Sequence, residues 1–113
     1  MCIRDRDKIQ NLFKHCDFLA LPSAQLFPFE KNLNNPEFIN DNKIDTYHRY
    51  MEVYTLSSLL GLPTISIPVG FNNKGLPMGM QIIGKNKDDL KLFAFAKIFE
   101  EIYNHSNYKP KLN

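Results

Sequence analysis

Serine, cysteine and histidine are the side chains here that could attack a carbonyl or take its proton, so their settings come first. A serine hydroxyl is a weak nucleophile until a base accepts its proton and backbone donors face the developing oxyanion, as glycine-rich elbows arrange. Ser57 and Ser58 lie just before a helix stop, Ser66 falls mid-strand, and Ser23 follows another strand beside Pro22. None stands in a Gly/Ser-rich loop, and no catalytic residue is expected within the chain. His15 and Cys16 could be drawn as base and thiol, but sequence neighbours do not face each other on a helix. Cys2 and Cys16 show neither metal-ligand spacing nor a disulfide framework, so both read as reduced bystander thiols, with no metal and no cofactor expected.

Whatever the chain contributes must be positioned by the stretch 59–84, LLGLPTISIPVGFNNKGLPMGMQIIG. Gly61 with Pro63 two residues on is a helix stop, because glycine takes the left-handed cap and proline cannot continue the helix. In Thr64 to Val69 the β-branched Ile65, Ile67 and Val69 alternate with smaller or polar residues, which predicts a strand with one apolar face. Pro68 cannot donate a ladder hydrogen bond, so that strand is expected to lie at an edge or to be irregular there. Phe71 to Gly75 is turn chemistry. Beyond it Met78, Met80 and Ile82 alternate with Gly79, Gln81 and Ile83 as a second strand.

This arrayed set resembles the C-terminal hallmark of the amidase signature family, a pattern close to LAGLPxxSxPxGxxxxGLPxGxQxxG. The matching positions include both Gly-Leu-Pro runs (Gly61 to Pro63 and Gly75 to Pro77), Ser66, Pro68, Gly70, Gly79, Gln81 and Gly84. Asp17 to Ala24, DFLALPSA, is similar to the strand that ends in Pro-Thr/Ser in that family, so the resemblance covers roughly residues 7 to 104. It implies an α/β fold: the C-terminal part of an α/β/α sandwich with a mixed sheet. It also implies carboxamide hydrolysis through a serine acyl-enzyme, with a second serine on a cis peptide and a lysine. Those three residues belong to regions of the family pattern that this chain lacks. Ser66 matches a family serine that is not the nucleophile.

The resemblance further implies that the helix before the first Gly-Leu-Pro lines the acyl pocket at positions eight, twelve and fifteen residues before the proline. Counted from Pro63 these are Thr55, Met51 and His48, spaced so as to share one face of a helix. In a branch of the family that uses glutamine and passes ammonia to a partner, the middle position is an aspartate holding the substrate's amino group. A thioether cannot pair with an ammonium, so Met51 points to a general amidase acting on a small-molecule amide. Glu52 projects about 100° away and is a poor substitute.

The remaining elements follow from periodicity. Ile9, Leu12 and Phe13 predict a helix from Asp7 to about His15, followed by a strand over Phe18 to Leu21. Residues 22–44, with Pro22, Pro28 and Pro36 and five asparagines, predict a long connection whose Phe27 and Phe29 need a surface to pack on. Asp45 or Thr46 is the expected cap of a helix from Tyr47 to Leu60 that is apolar on more than one side. Asn86 with Asp89 resembles a capping box for a last helix with two apolar stripes: Leu92, Phe95, Ala96, Phe99 and Tyr103, and Leu90, Phe93, Ala94, Ile98 and Ile102.

Residues 1–6, Met-Cys-Ile-Arg-Asp-Arg, read as a non-native lead-in, 7–104 as the C-terminal segment of an amidase domain, and 105–113 as a polar, frayed tail. With 113 residues and 43% hydrophobic content this is one domain at most, and its multi-faced helix is more than so short a chain can wrap. A net charge of +2 from 14 basic and 12 acidic residues spread along the chain does not suggest nucleic-acid binding. No apolar run approaches a membrane span, and a cytoplasmic setting is the default. A homodimer, membership of the glutamine-using branch of the family and a non-catalytic interaction module stay open as alternatives.

Overall fold

The computed structural model describes residues 3–109. Helix α1 spans Ile3–Leu12 and tightens through i to i+3 bonds from the Lys14 and His15 amides to Asn11 and Leu12. It therefore starts inside the stretch set aside as a lead-in, four residues before the predicted Asp7. Strands β1 (Leu19–Pro22), β4 (Thr64–Phe71) and β5 (Pro77–Ile83) form a sheet in the order β1-β5-β4. Both pairings are antiparallel, with Leu19 opposite Ile83 and Ile65 opposite Ile82. The mixed sheet that the resemblance implies is represented here by an antiparallel portion, as the tight hairpin between β4 and β5 dictates. Two short strands, β2 (Phe38–Ile39) and β3 (Asn42–Lys43), make a separate hairpin within the long connection.

The hairpin joining β4 and β5 is pinned by Asn72. Its carbonyl accepts the Gly75 amide, and its Oδ1 accepts the Lys74 and Leu76 amides, all at 2.9 Å. Gly75 supplies the left-handed backbone (φ 75°) that the turn requires. Upstream, Gly61 caps the preceding helix at φ 62°, ψ 37°, and the Leu62 amide closes the six-to-one bond onto the Ser57 carbonyl at 3.1 Å. The register slips between Pro68 and Gly70, so β4 is both an edge strand of this sheet and irregular at its proline.

Alternation along β4 and β5 sends Ile65, Ile67, Val69, Met80 and Ile82 to one face, which α4 (Asp89–Tyr103) covers with Leu92, Phe95, Ala96 and Phe99. Ile82, at 1% exposure, is the centre of that core. Phe18 extends it through the Phe95 ring, 5.1 Å away, and Lys91 bonds Asp17 at 2.6 Å while lying over Phe18. The second stripe of α4 is open: Leu90 is 84% exposed, and Phe93, Ile98 and Ile102 are exposed as well. The helix starts one residue after Asp88, which makes no side-chain cap bond, so the expected capping box from Asn86 does not form.

The radius of gyration is 16.3 Å, against about 13 Å for a compact domain of this length. The chain is a slab of 47 × 39 × 18 Å with a thin core and wide apolar margins. The segment after α4 is docked where a frayed tail was expected: a 3-10 turn at His105–Asn107 brings Tyr108 against Phe71, ring centroids 4.4 Å apart. Residues 110–113 of that predicted tail lie outside the described residues.

Candidate functional site

The helix predicted from Tyr47 to Leu60 is two helices, α2 (Tyr47–Tyr50) and α3 (Glu52–Leu60), broken at Met51 (φ −92°, ψ −1°). No glycine or proline lies there, so the cause must be sought in where the backbone bonds go. The Met51 and Tyr54 amides bond three residues back, to His48 and Met51. The Arg49 and Tyr50 carbonyls instead accept the side-chain amide of Gln25, at 2.7 and 2.9 Å. A second glutamine repeats the device: Gln81 Nε2 donates to the Pro22 carbonyl at 2.9 Å and the Val53 carbonyl at 2.7 Å. Thr46 occupies the cap position of α2 but makes no side-chain cap bond, contrary to the expectation for Asp45 or Thr46.

Between the start of the long connection, Tyr50, and the β4–β5 hairpin lies a groove of about 390 Å³. Its walls are Ala24, Leu26, Phe27 and Pro28 on one side, the Tyr50 ring, and Pro68, Pro77 and Met78 on the hairpin. Ser23, Ser66 and Gly79 also line it. Gly79 lets the Ser23 side chain approach closely, since a Cβ there would collide with the Ser23 hydroxyl and force it to turn away. Phe29 meets Tyr50 edge-on at 5.9 Å, which gives that part of the connection its packing surface. Apart from the Tyr50 phenol, the lining carries no ionisable side chain. The groove therefore suits an uncharged, largely apolar group with one or two hydrogen-bonding atoms.

Of the three residues expected to line a pocket, His48 is exposed on α2, Met51 is half-buried at the break, and Thr55 is exposed on α3 with its hydroxyl donating to the Glu52 carbonyl at 2.8 Å. The break divides them between two helices, and the neighbour that lines the groove is Tyr50. Tyr54 meets Tyr50 edge-on at 6.4 Å, and its phenol is pushed up to about 12, first by burial and then by the Tyr50 hydrogen bond. Gln81 could have been singled out from sequence as the polar residue in an apolar strand. Nothing in the sequence marks Gln25.

Two further concavities differ in character, and one, of about 520 Å³, is charged, with Lys43, Asp45, Arg49 and Glu52 lining it beside Gln25. The one of about 490 Å³ bounded by Ile9, Phe13, Lys14, Leu60, Leu62 and Lys85 lies between the ends of α1 and α3 and contains none of the residues of the β4–β5 hairpin. Cys16 gives its thiol hydrogen to the Leu12 carbonyl at 3.4 Å. Among the described residues no helix is long and apolar enough to cross a membrane.

A helix-flanked antiparallel hairpin with a neutral groove at its foot defines a piece of an α/β domain. The chain belongs to the Amidase family, whose sequence model matches residues 2–93. It is similar to the A subunit of glutamyl-tRNA(Gln) amidotransferase from Psychrobacter sp., 37% identical over 106 residues that make up 92% of this chain and 19% of that protein. It is also similar to the protein of the same name from Rickettsia bellii, 34% identical over 92% of this chain and 20% of the relative. The crystal structure of the A subunit of glutamyl-tRNA(Gln) amidotransferase from Thermotoga maritima superimposes with a TM-score of 0.65 at 27% identity, over 93% of this chain and 21% of that one. The chain thus spans about a fifth of the length of the proteins it matches.

Proposed function

We propose that this chain supplies the substrate-side wall and part of the sheet scaffold of an amidase that cleaves the C–N bond of an uncharged carboxamide, and that the nucleophile comes from sequence outside it. The observation that carries this reading is the groove lining, neutral and mostly apolar, beside a helix break occupied by a methionine. In the complete enzyme a serine oxygen attacks the amide carbonyl, the amine leaves, and water hydrolyses the acyl ester. His48, Met51 and Thr55 lie outside this groove, and it is the family resemblance that makes them lining positions of the complete pocket beyond Tyr50. Met51 and Thr55 set the shape of the acyl group, and His48 offers a hydrogen bond or a pH-dependent charge at the mouth. The setting is cytoplasmic.

A second reading is favoured by the names of the relatives: the A subunit of a glutamyl-tRNA(Gln) amidotransferase, handling glutamine. Its substrate carries an amino group and a carboxylate, which a neutral groove does not recognise. Transplanting the chain in place of the matched fifth of the Thermotoga maritima protein separates the two. The amidase reading predicts that the chimera hydrolyses benzamide and hexanamide in preference to glutamine, while the 113-residue chain alone cleaves none of them and takes no label from a serine-directed acylating probe. Retained glutamine preference would favour the second reading, and stoichiometric serine labelling of the chain alone would overturn the assignment of the nucleophile elsewhere.

A further inference from the structure

We infer that Gln25 is a positioning residue, a clasp whose side-chain amide holds the two walls of the groove together at the break in the helix pair. Its function in catalysis rests on the amidase reading above; its role as a clasp does not. Gln25 stands between Ala24 and Leu26, both part of one wall, and its Nε2 reaches the Arg49 and Tyr50 carbonyls on the other, where the Tyr50 ring faces the groove. A primary amide has two N–H donors, and here each has its own carbonyl. Because both contacts are to carbonyl oxygens, only the nitrogen end can face them.

These two carbonyls are the ones that a continuous helix would give to the amides of Val53 and Tyr54. Tyr54 bonds to Met51 instead, at 3.0 Å, so the Gln25 donors take the place of helical ones. The four residues of α2 are too few to hold a helix unaided. Phe29 also bridges the walls, by an edge-on contact with the Tyr50 ring that holds the ring but supplies no donor to the freed carbonyls. With the donors gone, α2 loses its tie to the connection, and the Tyr50 wall moves away from Met78 on the hairpin.

The test uses the 113-residue chain at micromolar concentration, with two mass-spectrometric readouts: backbone amide exchange over residues 47–54, and oxidation by hydrogen peroxide of Met78, which lines the groove, against Met80, which packs half-buried on the core beneath α4. In Gln25→Leu, exchange at the Met51 and Tyr54 amides is expected to rise about tenfold. Met78 oxidation should rise about threefold, by loss of local protection, with Met80 unchanged. Gln25→Glu presents only acceptors at neutral pH and is expected to match the leucine variant; mild acid, by giving its carboxyl one O–H donor, should restore part of the protection relative to the unaltered chain at the same pH.

Unchanged exchange and unchanged Met78 oxidation in Gln25→Leu would overturn the clasp. So would equal acceleration of Met78 and Met80, since Gln25 would then be a general scaffold residue, as would a Gln25→Glu variant that does not respond to acid. Benzamide is the independent probe of the groove. If it fails to slow Met78 oxidation in the unaltered chain while Gln25→Leu still speeds it, the amide reading falls and the clasp stands.

Discussion

The two faces of the sheet are held by different forces. Beneath α4, Ile65, Ile67, Ile82 and Leu92 pack through contacts that have no direction and gain from every buried methylene. On the other side Ile83 is fully buried too, and hydrogen bonds are added to the packing: Gln25 and Gln81 commit all four N–H groups to four backbone carbonyls, at Pro22, Arg49, Tyr50 and Val53. Apolar packing sets how stable the slab is. The amide donors set where the helix breaks and which ring faces the groove, because a hydrogen bond specifies a partner and an angle where packing specifies only proximity.

The sharpest way to break this contrast is to remove the centre of the apolar face. Ile82→Ala is expected to cost about 2–5 kcal/mol, from lost transfer energy plus the cavity left behind. Urea titration followed by far-ultraviolet circular dichroism would measure it, and a loss below that range would mean the core beneath α4 is not what holds the slab.

Gln81→Leu keeps the volume and removes both donors, leaving the Pro22 and Val53 carbonyls short, and is expected to cost about 1–3 kcal/mol. Because Gln81 lies between the strands and α3, amide exchange across residues 52–57 should accelerate more than exchange in α4. Uniform acceleration would erase the distinction between the two faces.

Gly79→Ala drives a Cβ into the Ser23 hydroxyl at the floor of the groove and is expected to cost about 1–3 kcal/mol. Ser23→Gly removes the atom it strikes, so the double variant should recover most of the loss. A double-mutant cycle with no coupling would place the cost elsewhere.

The smallest effect concerns the exposed Asp17–Lys91 pair that ties the start of β1 to α4. The Lys91 hydrogen bond, and next its charge, hold the Asp17 carboxyl below its usual 3.8. A depressed carboxylate contributes stability above 3.8 that is lost as pH falls through the folded value. Comparing the acid limb of unfolding for the unaltered chain and Asp17→Asn should show a slightly shallower fall in the variant below that point. Identical limbs would mean that the pair contributes nothing measurable, as for many exposed ion pairs.

What could be read in the sequence was local. Gly61 with Pro63, the alternation of β4 and β5, and the turn at Asn72 to Gly75 are encoded by residues within a few positions of one another, and each formed where its chemistry required. The break at Met51 was not legible, because the glutamine that binds the Arg49 and Tyr50 carbonyls there lies 24 and 25 positions before them in a connection without periodicity. The docking of Tyr108 on Phe71 likewise joins segments whose own composition reads as polar or turn-like. The second stripe of α4 was visible as an apolar pattern, yet only the structure shows that Leu90, Phe93, Ile98 and Ile102 face outward. Periodicity marks a face as apolar without naming its partner. The groove was legible in part: the hairpin residues that floor it lie in the family hallmark, whereas Tyr50 and the stretch from Ala24 to Pro28 were brought to it by the clasp.

If this segment builds a wall for an uncharged amide, as proposed, Met51 stands where a carboxylate would select an amino group. The direct measurement is the ratio of kcat/KM for glutamine to that for hexanamide in the transplanted chimera, with and without Met51→Asp. The account predicts a ratio that rises about tenfold or more on substitution, as the new carboxylate pairs with the substrate ammonium. An unchanged ratio in a folded chimera would take Met51 out of the substrate's reach and contradict the account.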